Sequence, residues 1–168
     1  MGKVVSESEL IRLRGEWKRA GKVVVCASGS FDLLHPGHIR LLEQARSLGD
    51  ILVVLVSNEA SMGAPQVFPA DPKGKSPQSI TPAAERVEII AALAAVDYVA
   101  EFEEASLGGL LMRFAPGVMV RGGVPSSSGA ASREDEKLEA AGSKLVRIPL
   151  EPGYSRALLL ERIQRLPA

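Results

Sequence analysis

Val23-Val24-Val25-Cys26-Ala27-Ser28-Gly29-Ser30-Phe31-Asp32-Leu33-Leu34-His35-Pro36-Gly37-His38 is the stretch that decides how this chain folds. Its first half is a continuous apolar run, the pattern of a parallel strand buried on both faces. Its second half carries the chain's two histidines, separated by Pro-Gly, into a helix-like segment that ends near Leu48. A helix that starts there presents unpaired backbone N–H groups and the positive end of a dipole, a setting suited to phosphate. Imidazoles beside such a site donate hydrogen bonds to phosphate oxygens, which is what nucleotidyl transfer requires.

The same alternation extends outward in both directions. Lys22–Ala27, Ile51–Ser57, Asp97–Ala100, Val118–Arg121 and Lys144–Pro149 read as strands. Between them, Gly37–Leu48, a segment from Thr81-Pro82 to about Ala95, Leu107–Phe114 and Ser132–Ala141 read as helices, and Ser155–Leu166 as the last. In the second of these, Thr81 has the chemistry of an N-cap and Pro82 that of a first helical residue. Strands and helices in strict alternation predict βαβ units, hence an α/β, Rossmann-like doubly wound parallel sheet with helices on both faces. Ligands of such sheets bind beyond the carboxyl ends of the strands, where the histidine segment falls. Asn58–Ser79 and Ser126–Ala131, rich in Pro, Gly and Ser, read as loops at the same edge.

Before this core, Ser6–Ala20 reads as an amphipathic helix. Ser6 and Glu9 have capping-box spacing, and Leu10, Leu13 and Trp17 recur on one face. Residues 1–21 are thus expected to be a helical extension on a 22–168 core, within one domain of 168 residues. Trp17 reads as a packing or dimer anchor. Twenty basic residues balance twenty acidic ones, so bulk charge supports no nucleic-acid or membrane partner, and any phosphate must be held locally. The lone Cys26 excludes an internal disulfide and reads as a buried, inert thiol. No run has the length of a membrane span, and Met1 to Glu9 lacks a signal-peptide core, so the expected location is the cytoplasm.

The residues Ser28-Gly29-Ser30-Phe31-Asp32 followed by His35-Pro36-Gly37-His38 resemble the signature of the cytidylyltransferase-like nucleotidyltransferases. Within that group the chain is most similar to the adenylyltransferase domain of ADP-heptose synthases, which joins ATP and heptose 1-phosphate to give ADP-heptose and pyrophosphate. Four stretches carry the finer likeness: His35 to Asp50; Ile80 to Tyr98; Arg121-Gly122-Gly123; and Pro152-Gly153-Tyr154-Ser155 running into Glu161-Arg162-Ile163. The resemblance implies His35 and His38 as the catalytic pair that binds the phosphates. It implies Ser28, Gly29, Ser30, Phe31, Gly37, Arg86, Arg121, Gly122, Gly123, Tyr154 and Ser155 around the nucleotide, and Asp32 towards the acceptor; read from the residues themselves, Phe31 packs under the loop and Asp32 supports it, by capping the loop or orienting a histidine. Lys73 or Lys75 would close over the phosphates, and Arg86, early in its helix, would meet an anion there.

The implied partners are ATP, with CTP and a polyol or alcohol phosphate as the alternative pair, and Mg²⁺ accompanying the triphosphate. A homodimer is also implied, as is a role in lipopolysaccharide precursor synthesis. No protein metal ligand is named, since no cluster has metal-ligand spacing. The chain departs from the family at two places. Arg121-Gly122-Gly123-Val124 stands where Lys-Gly-Gly-Asp is usual, and Ser155-Arg156-Ala157 where the last helix usually opens with Ser-Thr-Thr. A non-catalytic nucleotide-binding homologue is the reading these departures leave beside the enzyme.

Overall fold

A computed structural model describes residues 1–58, 79–123, 133–149 and 151–165. The elements run β1 (Lys3–Val4), α1 (Glu7–Arg19), β2 (Val24–Gly29), α2 (Pro36–Arg46), β3 (Ile51–Ser57), α3 (Ala83–Ala91), β4 (Tyr98–Phe102), α4 (Glu104–Phe114), β5 (Val118–Gly122), α5 (Arg133–Ala140), β6 (Lys144–Ile148) and α6 (Arg156–Gln164). The six strands form one sheet in the order β1-β4-β3-β2-β5-β6, and every pairing is parallel. The expected Rossmann-like α/β fold is therefore present. After β2 the chain winds outward through β3 and β4, then crosses back to place β5 against the other side of β2. The order reverses between β2 and β5, so the crevice for a ligand opens there.

Continuous apolar strands are explained by the two faces they serve. Val25, Ala27, Leu52, Val54 and Val56 join Leu41, Leu42, Ala45, Val87 and Ile90 in one core, under α2 and α3. Val24, Cys26, Val53 and Leu55 alternate to the other face, where they meet Leu10, Trp17, Leu110, Leu111, Phe114 and Leu138 from α1, α4 and α5. Burial drives the Cys26 thiol up to about 12, which keeps it protonated and inert.

The N-terminal segment is more than a helical extension. Lys3–Val4 pairs with Tyr98–Val99 as an edge strand of the same sheet. Gly2 N–H donates to the carbonyl of Ala91 at 2.7 Å, at the end of α3. A Cβ on Gly2 would lie 2.7 Å from the Val96 carbonyl oxygen, so the close approach requires glycine. This contact also marks where α3 stops: it ends at Ala91, short of the expected Ala95, and Ala92 to Val96 continue as tight turns into β4. Pro82, not Thr81, holds the N-cap position of α3. Leu48 and Ala94 are exposed because both lie beyond the ends of their helices. Ser6 caps α1 as its spacing predicts, accepting from Glu9 N–H, and Trp17 packs on Tyr98 with ring centroids 4.8 Å apart. No helix among the described residues is long and apolar enough to cross a membrane.

Because Leu10 on α1 is fully buried, Leu10→Ala is expected to remove about 2–5 kcal/mol of stability. Urea unfolding followed by circular dichroism measures it; an unchanged midpoint would mean that α1 is an appendage after all.

Candidate functional site

The β2–α2 connection builds the site from residues that ordinary loops avoid. Phe31 and Leu33 both adopt left-handed backbone, with φ of 50° and 52°. Side chains carrying a Cβ rarely stay there unless their surroundings hold them. Asp32, between them, supplies the hold. Its buried carboxylate accepts from Thr81 N–H at 3.0 Å and from Ile80 N–H at 3.2 Å, and forms an ion pair with Arg156 at 3.0 Å. Phe31 turns inward and meets the His38 ring edge-on, centroids 5.4 Å apart.

His35 is the N-cap of α2, in extended backbone with φ of −141°, and Pro36 follows at the first helical position. Its Nδ1 accepts from the His38 backbone N–H at 3.3 Å. That bond decides the chemistry of the ring: with Nδ1 accepting, the neutral imidazole carries its proton on Nε2, which is thereby a donor. The two imidazoles stack face to face, centroids 3.8 Å apart and planes 12° from parallel. Burial lowers the pKa of both, and His35 next to it adds to the effect at His38, which falls to about 4. Two charged rings at this separation would repel, so the stack is a neutral pair. His38 Nδ1 is buried and meets no hydrogen-bonding group among the described residues. Gly37 permits this compactness: a Cβ there would fall 3.1 Å from His35 Nδ1 and 3.2 Å from Tyr154 Cβ.

Tyr154 walls the pair from the far end of the chain, its ring 6.2 Å from that of His35. It is held by Arg40, whose guanidinium lies 5.6 Å from the ring centre and pairs with Glu151. Ser155 caps α6 by accepting from Leu158 N–H at 3.1 Å. Gly29 passes close under Phe31, where a Cβ would sit 3.3 Å from the ring. Ser28, Ser30, Arg121, Gly122 and Gly123 reach the same strand edge, and Gly123 turns away with φ of 100°.

Two of the expected anion ligands have other partners in this structure. Arg86 is 1% exposed, and its guanidinium donates to the carbonyls of Thr81 at 2.8 Å, Ser30 at 2.5 Å and Ser57 at 2.7 Å. It joins β3, α3 and the Ser30 loop from beneath, because the dipole conflict expected at its helix start is relieved by carbonyls. Arg121 donates to Ser28 Oγ at 3.1 Å and pairs with Glu134 at 2.5 Å and Asp135 at 3.1 Å, while Arg147 pairs with Asp135 at 3.1 Å. This network ties β2 to β5, β6 and α5 across the switch point. Asp32, expected towards the acceptor, has both carboxylate oxygens engaged within the protein. Lys73, Lys75 and Val124 lie outside the described residues. Sequence reading missed Arg40, Glu151 and Glu134 as site supports. Arg40 and Glu151 stand 111 residues apart, so no spacing rule signals them.

Among the described residues, no group of three or more His, Cys, Asp or Glu side chains is placed to hold a metal ion. Imidazole N–H groups at a helix start suit an anion.

The depressed histidines make stability depend on pH. An unfolded chain takes up protons on both imidazoles below about 6.5, while folded His38 resists until about 4. Their contribution is therefore full above pH 6.5 and is lost as pH falls towards 4. Proton NMR titration should find the His38 ring still neutral at pH 5.5; a midpoint near 6.5 would show that the ring is not buried.

Residues 26–149 match the cytidylyltransferase-like family. The bifunctional protein HldE of Koribacter versatilis is 38% identical over 160 residues, which cover 95% of this chain and 31% of that protein. HldE of Streptomyces coelicolor is 41% identical over 140 residues, covering 83% and 28%. This chain thus spans about a third of the length of the curated relatives it matches. Among solved structures, a lipopolysaccharide core biosynthesis protein from Thermoplasma volcanium is similar with a TM-score of 0.57 at 26% identity, covering 78% of this chain and 98% of that one. Pantoate-β-alanine ligase from Francisella tularensis, at 15% identity, TM-score 0.60 and coverage of 90% and 69%, shares the fold alone. With the histidine turn at the switch point of the matched sheet, the chain belongs to the cytidylyltransferase-like family.

Proposed function

We propose that this chain is a nucleotidyltransferase that moves AMP from ATP to a sugar 1-phosphate, heptose 1-phosphate foremost, and releases pyrophosphate. The observation that carries the reading is the stacked, neutral His35–His38 pair at the start of α2, with His35 set as an Nε2–H donor. The family match and the HldE relatives support the reaction type and the adenylyl choice.

An oxygen of the sugar phosphate attacks the α-phosphorus of the triphosphate in line. A new P–O bond forms there as the bond from the α-phosphorus to the oxygen bridging it to the β-phosphorus breaks. The attacking oxygen is already anionic, so no general base is required. Catalysis then rests on positioning and on donors aimed at developing charge. His35 Nε2–H supplies one donor, His38 a second, and the helix start adds its dipole. The arriving phosphates raise both imidazole pKa values, since an anion favours the charged ring. Mg²⁺ enters as the counter-ion of the triphosphate and leaves with pyrophosphate, as part of the substrate. Tyr154 and Ser155 border the nucleotide, and one of Lys73 and Lys75 closes on its phosphates. The reaction belongs to the cytoplasm, where ATP and sugar phosphates are, and a homodimer is the assembly we assign to the whole protein.

Pyrophosphate release, assayed with Mg²⁺ and heptose 1-phosphate, tests the reading. ATP should support turnover, and His35→Ala should reduce it by about 10²–10³-fold. Turnover with CTP alone would reassign the nucleotide. Nucleotide binding without turnover on any sugar or alcohol phosphate would make the chain a binding homologue and overturn the proposal.

A further inference from the structure

Arg156 stands at the first position of α6, where a cation opposes the helix dipole. Its Nη2 lies 3.0 Å from Asp32 Oδ2. Neither Nη2 nor Nε finds an aligned acceptor among the described residues, although both atoms are buried. The attachment is therefore one of charge, not of a directed fork. Asp32 has its side chain wholly buried and already accepts from Ile80 and Thr81. One carboxylate thus gathers three segments distant in sequence: the strained turn after β2, the entry to α3 and the start of α6.

Asp32 also sits between the two left-handed residues Phe31 and Leu33, and Phe31 is what His38 packs against. Arg156 pairs with Asp32, and Phe31, next to Asp32 in the same turn, meets the His38 imidazole. We propose that Arg156 is a positioning residue: by neutralising and fixing Asp32 it holds the Phe31 turn, and so sets the orientation of His38 towards the triphosphate. The effect on nucleotide rests on the nucleotidyl-transfer reading; the effect on the turn does not.

The two parts separate experimentally. Arg156→Ala should speed amide exchange at Ile80 and Thr81 and shift the His38 ring proton as Phe31 moves. It should also weaken MgATP binding by about tenfold, the scale of one coupled ion pair. Arg156→Lys should restore all three, because a point charge suffices where no directed bond is made. If Arg156→Ala does not fold, Arg156→Met keeps the apolar stem and carries the same readouts. A His38 signal and amide exchange unchanged in the neutral variant would overturn the proposal, as would failure of lysine to rescue them. If the unaltered chain binds neither ATP nor CTP, the functional reading falls, while the spectra still decide the role of Arg156.

Discussion

One hydrogen bond organises the site: the His38 amide to His35 Nδ1. It caps α2, replacing the hydroxyl or carboxylate that usually does so. It also fixes which nitrogen of His35 is bare and which carries the proton. The same amide donates to the His35 carbonyl at 2.9 Å, and the turn that both bonds close holds the imidazoles face to face at 3.8 Å. The glycine between them and the fixed φ of Pro36 are conditions for that bond. The helix cap and the imidazole stack are thereby one arrangement.

Beneath this turn lies a layer of buried and half-buried charge. A chain with no net charge concentrates arginines where backbone carbonyls and carboxylates need partners. Arg86 gathers three carbonyls, Arg121 links Ser28 to the acids of α5, and Arg156 faces Asp32. Buried groups of this kind destabilise unless each is paired. Their pairing across β2, β3, β5, α3 and α6 makes the site rigid at the place where the sheet's winding reverses. The charge is thus arranged in depth, with imidazoles at the mouth and arginines supporting the loops that carry them.

The sheet was legible because parallel strands buried on both faces leave unbroken apolar runs; Ile51–Ser57 matched residue for residue. The histidine turn was legible because its residues are contiguous and their spacing is dictated by one helical turn. Lys3–Val4 was not, since a two-residue edge strand has no period and exists only through its pairing with β4. Arg86 looked like an anion ligand from its place on a helix. Its partners in the structure include Ser30 and Ser57, 56 and 29 residues away, which follow from tertiary packing alone. The same holds for Arg121 and Ser28, 93 residues apart. Local rules find the histidine turn, whereas the side chains that hold it are fixed by topology.

A crystal structure of the chain with a non-hydrolysable ATP analogue and Mg²⁺ tests the central claim most directly. The account predicts phosphate oxygens within hydrogen-bonding distance, about 2.7–3.2 Å, of His35 Nε2 and of a ring nitrogen of His38. The triphosphate should lie across the start of α2, with Arg86 still bonded to its three carbonyls. Phosphates bound elsewhere, with the histidine stack untouched, would contradict it.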